Sequence, residues 1–201
     1  MSLFDGMSAK IELPLTNGYA WYDGSFLNYQ EQEELKQFLW KTYHWEQPEL
    51  KVFGKSHPIP RKAAWIANEE VGYDYSGIKH ELQPWTEPLL RVKQKIEDVT
   101  SATFNSVLLN AYRNGNDKMG WHADDEKALG IDPFIASLNL GASRRFDLRS
   151  KTDPKDEVKL QLASGSLLFM GTGIQQNYKH QVPQQKTVEG LRINLTFRKV
   201  I

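Results

Sequence analysis

The segment GWHADDE places His122 and Asp124 two residues apart. In an extended chain, side chains at i and i+2 point to the same side, so an imidazole and a carboxylate there can converge on one metal ion. A third ligand must come from elsewhere, and the remaining histidines are His44, His57, His80 and His180. Of these, His180 alone lies in the β-rich half, in YKHQVP at a strand end, where a jelly roll can fold it back onto the first pair. Two neutral imidazoles and one carboxylate leave three adjacent positions open on an octahedral ion, the facial arrangement suited to non-haem Fe(II) and O2 chemistry. Zinc is the chemical competitor, because the same donors also serve zinc hydrolases. An isolated H-x-D is also a common surface hydrogen-bonded pair, with His180 then an unrelated loop residue.

A second polar constellation lies on the last strand. In LRINLTFRKV, Leu191, Ile193, Leu195 and Phe197 alternate with Arg192, Asn194, Thr196 and Arg198. Likewise SVLLNAY puts Asn110 and Tyr112 on one face and Val107, Leu109 and Ala111 on the other. Two ordinary half-exposed strands would show the same pattern. The functional reading is a cavity for a small dicarboxylate, since arginine's planar fork matches a carboxylate bidentately. An arginine at the cavity end would clamp the far carboxylate of 2-oxoglutarate, whose 2-oxo acid end would chelate the metal. Asn110 and Tyr112 would add neutral donors.

The elements that must position these groups follow from periodicity. From Asn28 to about Trp45 the pattern is helical, with Leu35, Phe38, Leu39 and Tyr43 on one stripe. A second helix is expected from near Glu87 to Val99, burying Leu89, Leu90, Val92 and Ile96. After Thr103, short β-rich runs separated by turns (SVLLNAY, FIASLNL, RRFDLRS, KLQLA, GSLLFMG, LRINLTFRK) predict an antiparallel sandwich or jelly roll.

Bulk properties narrow the function classes. The chain has 201 residues, 25 basic and 25 acidic, with formal net charge zero, so any polyanion-binding surface must come from local clustering. The absence of cysteine excludes disulfides, thiolate catalysis and zinc-thiolate sites. No stretch approaches the roughly 20 apolar residues of a membrane span, and the start has no signal-peptide run, so a cytoplasmic protein is the expectation.

Taken together, NAYRNGNDKMGWHADDE, IASLNLGASRRFDLR, GSLLFMG, YKHQVP and RINLTFR resemble the AlkB-type nucleic-acid dealkylases, from about Phe53 to Arg198. The combination of H-x-D, a distant His and R-x-N-x-x-x-R is highly specific. The resemblance implies an α+β fold: a double-stranded β-helix (jelly-roll) core with N-terminal helices and a nucleotide-recognition lid. The expected division is an N-terminal extension at 1–50, lid and supporting helix at 51–100, and core at 101–201, in one compact domain. It implies Fe(II), 2-oxoglutarate and O2, with oxidation of the N-linked carbon in bases such as 1-methyladenine and 3-methylcytosine and release of an aldehyde. Position by position, it makes His122, Asp124 and His180 the iron ligands, and Asn110, Tyr112, Arg192, Asn194 and Arg198 the co-substrate site. Arg192 would meet the outer carboxylate and Arg198 the iron-proximal end. The expected partner is alkylated DNA, with RNA as the alternative polymer, no membrane, and a monomeric protein.

A base inside a duplex cannot reach a buried iron, so it must be flipped out or already unpaired. Between Lys51 and Gly77, Lys51, Lys55, Arg61 and Lys62 offer phosphate contacts, and Trp65, Tyr73 and Tyr75 offer stacking surfaces, although charge runs are usually solvated and aromatics usually core. The segments VFGK, PRKAAW and GYDYSG look like the family's lid. Trp65 and Tyr75 match positions that shape its base pocket, and Glu126 matches an acidic residue near the flipped base. Phe53, at the tip of VFGK, would be a wedge into the duplex, or alternatively a core residue. Arg144, Arg145, Arg149 and Lys151 either reach the complementary strand or are solvated, the latter being the expectation.

Overall fold

The computed structural model describes residues 10–52, 55–71, 74–75, 78–79 and 81–201. Its N-terminal half runs β1 (Ile11–Glu12), β2 (Ala20–Asp23), α1 (Tyr29–Thr42), β3 (Glu49–Val52), β4 (Lys55–Pro58), β5 (Lys62–Ala67), β6 (Asp74–Tyr75), β7 (Ile78–Lys79), β8 (Leu82–Gln83) and α2 (Glu87–Thr100). Its C-terminal half runs β9 (Ser106–Tyr112), β10 (Met119–His122), a 3-10 turn (Lys127–Leu129), β11 (Ile135–Gly141), β12 (Arg144–Ser150), β13 (Glu157–Leu162), β14 (Leu167–Met170), α3 (Ile174–Asn177), β15 (Tyr178–Val182) and β16 (Arg192–Arg198).

Helix α1 starts where its sequence dictates. The Asn28 side chain accepts from the Glu31 amide at 3.0 Å and the Glu31 carboxylate accepts from the Asn28 amide at 2.8 Å, a closed capping box. Helix α2 carries Pro in its first turn and ends at Ser101 in the left-handed region (φ 56°). Leu89 and Ile96 of α2 are buried, but Leu90 is 41% exposed, which corrects the expected stripe. At about 100° per residue, Leu90 is rotated away from the Leu89–Val92–Ile96 face.

Apart from the consecutive pair β12 and β13, the C-terminal strands alternate between two sheets. One has the order β1-β2-β14-β11-β16-β9-β5-β8 and the other β10-β15-β12-β13. This interleaving is the expected double-stranded β-helix. Strands from all three expected segments share the larger sheet, since β2 pairs with β14 and β5 with β9. The hairpins β3–β4 and β6–β7 form separate two-stranded sheets. Among the described residues no helix is long and apolar enough to cross a membrane.

Register decides which side chains face which side. On β16, Ile193, Leu195 and Phe197 are fully buried in a core cluster with Leu35 and Leu39 of α1 and Leu89 and Ile96 of α2. The alternate residues Arg192, Asn194, Thr196 and Arg198 must therefore face the smaller sheet. Antiparallel pairing sets Arg192 opposite Tyr112 and Asn194 opposite both Asn110 and Asn139, so the polar residues of three strands share one face.

Candidate metal centre

Pairing of β10 with β15 sets His122 directly opposite His180. Opposed residues of an antiparallel pair project to the same face, and the two rings meet edge-on with centroids 4.2 Å apart. The pairing register shifts between Met119 and His122, an irregularity of the kind that re-aims a side chain. His122 Nδ1 donates to the Gly120 carbonyl at 2.8 Å, leaving Nε2 as the ligating nitrogen.

Asp124 follows two residues beyond β10's end. Its backbone amide donates to Gln175 Oε1 at 2.9 Å, and Oδ1 accepts from Arg198 Nη2 at 2.6 Å. The other oxygen, Oδ2, lies 3.8 Å from His180 Nε2. One ligating atom from each of His122, Asp124 and His180 lies within 4.8 Å of the others, close enough for one ion.

Charge state favours ligation. Burial, with the neighbouring His122, pushes His180 down to about 3. Burial likewise lowers His122 against the pull of Asp124. For Asp124 burial acts upward, but Arg198 and the two imidazoles outweigh it and hold the carboxyl below its ordinary range. Near neutral pH the cluster is two uncharged imidazoles and a carboxylate, the forms that bind a divalent metal.

The metal cluster opens into a cavity between the sheets whose lining includes Asn110, Tyr112, Arg192, Asn194 and Arg198, all named from sequence. Arg192 is 1% exposed, and its Nη2 donates to Asn139 Oδ1 at 2.6 Å. Its Nε and Nη1 are buried without a hydrogen-bond partner among the described residues. Burial pushes this guanidinium down to about 10. A buried cation with two idle donors fits an incoming carboxylate, as the 2-oxo acid reading requires.

The expected substrate residues are placed less uniformly. Arg61 Nε donates to Asn110 Oδ1 at 2.7 Å, so this nitrogen faces the cavity edge rather than a phosphate. Trp65 is 3% exposed and packs with Leu108 and Leu129, not as an open stacking surface. It does share the cavity face, since it pairs with Leu108 while Ala63 pairs with Asn110. Glu126 is half-buried at the start of the 3-10 turn. Phe53 and Tyr73 lie outside the described residues, as do the side chains of Lys51, Lys55 and Tyr75.

Ser137 of the lining, and Asn139 and Gln175 that brace lining residues from behind, escaped sequence reading. Ser137 and Asn139 sit at alternate positions of FIASLNL, a signal as strong as the one used for Asn110 and Tyr112. Gln175, fully buried beneath Asp124, carries no such signal. The expectation that Arg144 is solvated is wrong: it is 1% exposed and its guanidinium is bound by loop carbonyls. Arg145, its side chain partly exposed, forks the fully buried Asp147, Lys151 pairs with the exposed Asp125, and Arg149 stacks over Trp121 at 4.3 Å.

Residues 18–198 match the 2OG-Fe(II) oxygenase superfamily. The chain is 41% identical over 159 residues to the DNA oxidative demethylase ALKBH2 of Bos taurus, covering 76% of this chain and 57% of that protein. It is 39% identical over 184 residues to the alpha-ketoglutarate-dependent dioxygenase alkB homolog 3 of Mus musculus, covering 87% of this chain and 64% of that protein. The chain thus spans about 57–64% of the length of these relatives. A solved structure titled "The structure of OsALKBH1" superposes with a TM-score of 0.67 at 18% identity, covering 94% of this chain and 100% of that one. At that identity the likeness concerns the fold.

Proposed function

The chain belongs to the 2OG-Fe(II) oxygenase superfamily, and from that premise we propose that it oxidatively removes alkyl groups from the ring nitrogens of DNA bases. The observation that carries this reading is the buried His122–Asp124–His180 cluster opening onto a guanidinium with two unpartnered nitrogens. In this reading the three residues hold Fe(II), with Arg198 keeping Asp124 ionised and oriented from its 2.6 Å contact. Arg192 takes the outer carboxylate of 2-oxoglutarate, while Asn110, Tyr112 and Asn194 line its path. Bound iron and 2-oxoglutarate supply an oxidant made from O2, leaving succinate and CO2.

The substrate class rests on the relatives, one of which is named a DNA oxidative demethylase. Oxidation of an N-methyl carbon leaves a hemiaminal that collapses to the unmodified base and formaldehyde, which suits 1-methyladenine and 3-methylcytosine. The lid in this proposal is the stretch expected between Lys51 and Gly77, and the cavity-face position of Trp65 supports its shaping the base pocket. The test is incubation of the protein with Fe(II), ascorbate, 2-oxoglutarate and oligonucleotides carrying one methylated base. DNA should release formaldehyde stoichiometric with repaired base, and His122→Ala should release none. Release from RNA alone would transfer the activity to that polymer. Succinate formation without formaldehyde from either polymer would overturn the nucleic-acid reading.

A further inference from the structure

Arg144 is a buried cation outside the metal cluster. It lies on β12, where Leu148 pairs with His180 and Phe146 lines the cavity. Alternation puts Arg144, Phe146 and Leu148 on one face, and four residues at about 3.3 Å each carry Arg144 roughly 13 Å along the strand from the level of His180. It therefore lies behind the lining, past the cavity end remote from the metal cluster, where Arg192 arrives from the opposite sheet.

Its hydrogen bonds fix it there. Nη1 donates to the Asn114 carbonyl at 3.0 Å, Nη2 to the carbonyls of Asp117 and Pro183 at 2.8 Å each, and Nε to Gln185 Oε1 at 3.3 Å. Every one of these acceptors is neutral. Of the two groups whose fields oppose the effect of burial on it, Tyr112 is a phenol and Asp117 is already forked by Arg113 at 2.8 Å through both carboxylate oxygens. Arg144 thus brings a positive charge into the interior with no carboxylate in direct contact among the described residues.

That charge lies across an aromatic ring from Arg192. The Arg144 guanidinium is 5.6 Å from the Tyr112 ring centroid and the Arg192 guanidinium 4.8 Å. Besides burial, Arg144 is a cause of the lowered proton affinity of Arg192, so the two cations feel one another. Two buried like charges are costly until an anion joins them.

We propose that Arg144 is a positioning and specificity residue that, from behind Tyr112, makes the outer end of the cavity selective for 2-oxo dicarboxylates over 2-oxo monocarboxylates. The proposal rests on the co-substrate reading of the cavity. Arg192 supplies the direct fork to the outer carboxylate. Arg144 adds a second, unneutralised charge whose field only a ligand with that carboxylate can use.

The test is calorimetric binding of 2-oxoglutarate and of 2-oxovalerate, its five-carbon analogue without the outer carboxylate, to Mn(II)-loaded protein. Arg144→Met should raise the Kd for 2-oxoglutarate about tenfold, the scale of one unit charge near 10 Å at an effective dielectric of about 20, and the Kd for 2-oxovalerate by less than about twofold. Arg144→Lys, which keeps the charge, should hold the ratio of the two constants within about threefold of wild type. If Arg144→Met does not fold, Arg144→Gln, which keeps a donor for the loop carbonyls, reports the same ratio. An equal loss for both ligands, or for neither, would reduce Arg144 to a loop staple and overturn the proposal. Wild-type protein that binds Mn(II) but not 2-oxoglutarate would instead overturn the co-substrate reading itself.

Discussion

Replacing Asp124 by Asn removes a charge and almost no volume, and the consequence can be worked out from its contact with Arg198. Both side chains are 3% exposed and meet at 2.6 Å. Breaking a buried pair by neutralising one partner typically destabilises by about 3–5 kcal/mol, because the other charge keeps its desolvation penalty. That is a large part of a total folding free energy of about 5–15 kcal/mol. For a chain of this length it corresponds to a fall of roughly 6–20 °C in the Tm of metal-free protein, at about 2–4 °C per kcal/mol. Arg198→Met should act in the same direction. The double variant strands neither charge, so it should be more stable than the sum of the singles by about 2–3 kcal/mol. Urea unfolding in the presence of a chelator measures all four proteins. Adding Mn(II) at about one hundred times its Kd should then stabilise wild type by about 2.7 kcal/mol and Asp124→Asn hardly at all. Additivity of the two substitutions within about 0.5 kcal/mol would refute the paired-charge reasoning. An equal response of Asp124→Asn to Mn(II) would refute the ligand assignment.

Other outcomes test other parts of the site. His180 has its folded pKa near 3, below the ordinary 6.5, so between these values the unfolded chain binds a proton that the folded chain refuses. Stability of the chelated protein should therefore fall as pH drops from about 6.5 toward 3, and a thermal-melt series flat between pH 7 and 5 would contradict this. Arg192→Lys loses the planar fork and should weaken 2-oxoglutarate binding at least about tenfold while leaving Mn(II) affinity unchanged; parallel loss of both in titrations would count against an outer-carboxylate role. A methyl at Gly115 would fall 1.7 Å from the Gln185 carbonyl oxygen, so Gly115→Ala should push apart the loops gathered by Arg144. Chemical denaturation should show a loss of about 1–3 kcal/mol, and an unchanged midpoint would mean the loops are not held as described.

The parts of the site legible in sequence are those written in local alternation. Arg192, Asn194 and Arg198 on β16 and Asn110 and Tyr112 on β9 share a face because period two is a property of any strand. The H-x-D pair was legible for a related reason, whereas His180 was reached only through its place in the β-rich half and the family resemblance. The pairing of His122 with His180 joins residues 58 positions apart, and no local pattern encodes that register. Arg144 shows the opposite failure: in sequence it stands in a basic run that looks solvated, yet strand alternation turns it inward while Arg145 beside it meets the surface. Leu90 failed because an apolar residue was counted onto a helical stripe that its angular position does not reach. Gln175 was invisible because its role depends on a short helix folding under Asp124, which tertiary structure alone decides.

The placement of β16 has a consequence for biosynthesis. The last strand of the fold is not an edge: it lies between β11 and β9, and it also delivers Arg198 to Asp124. A chain emerging from the ribosome therefore holds an open slot in the middle of its larger sheet until residues 192–198 are free to insert. Until then β9 and β11 each expose an unpaired edge, a recognised aggregation hazard. Metal loading belongs after that insertion, so nascent chains halted before Arg192 should recruit chaperones and bind no iron.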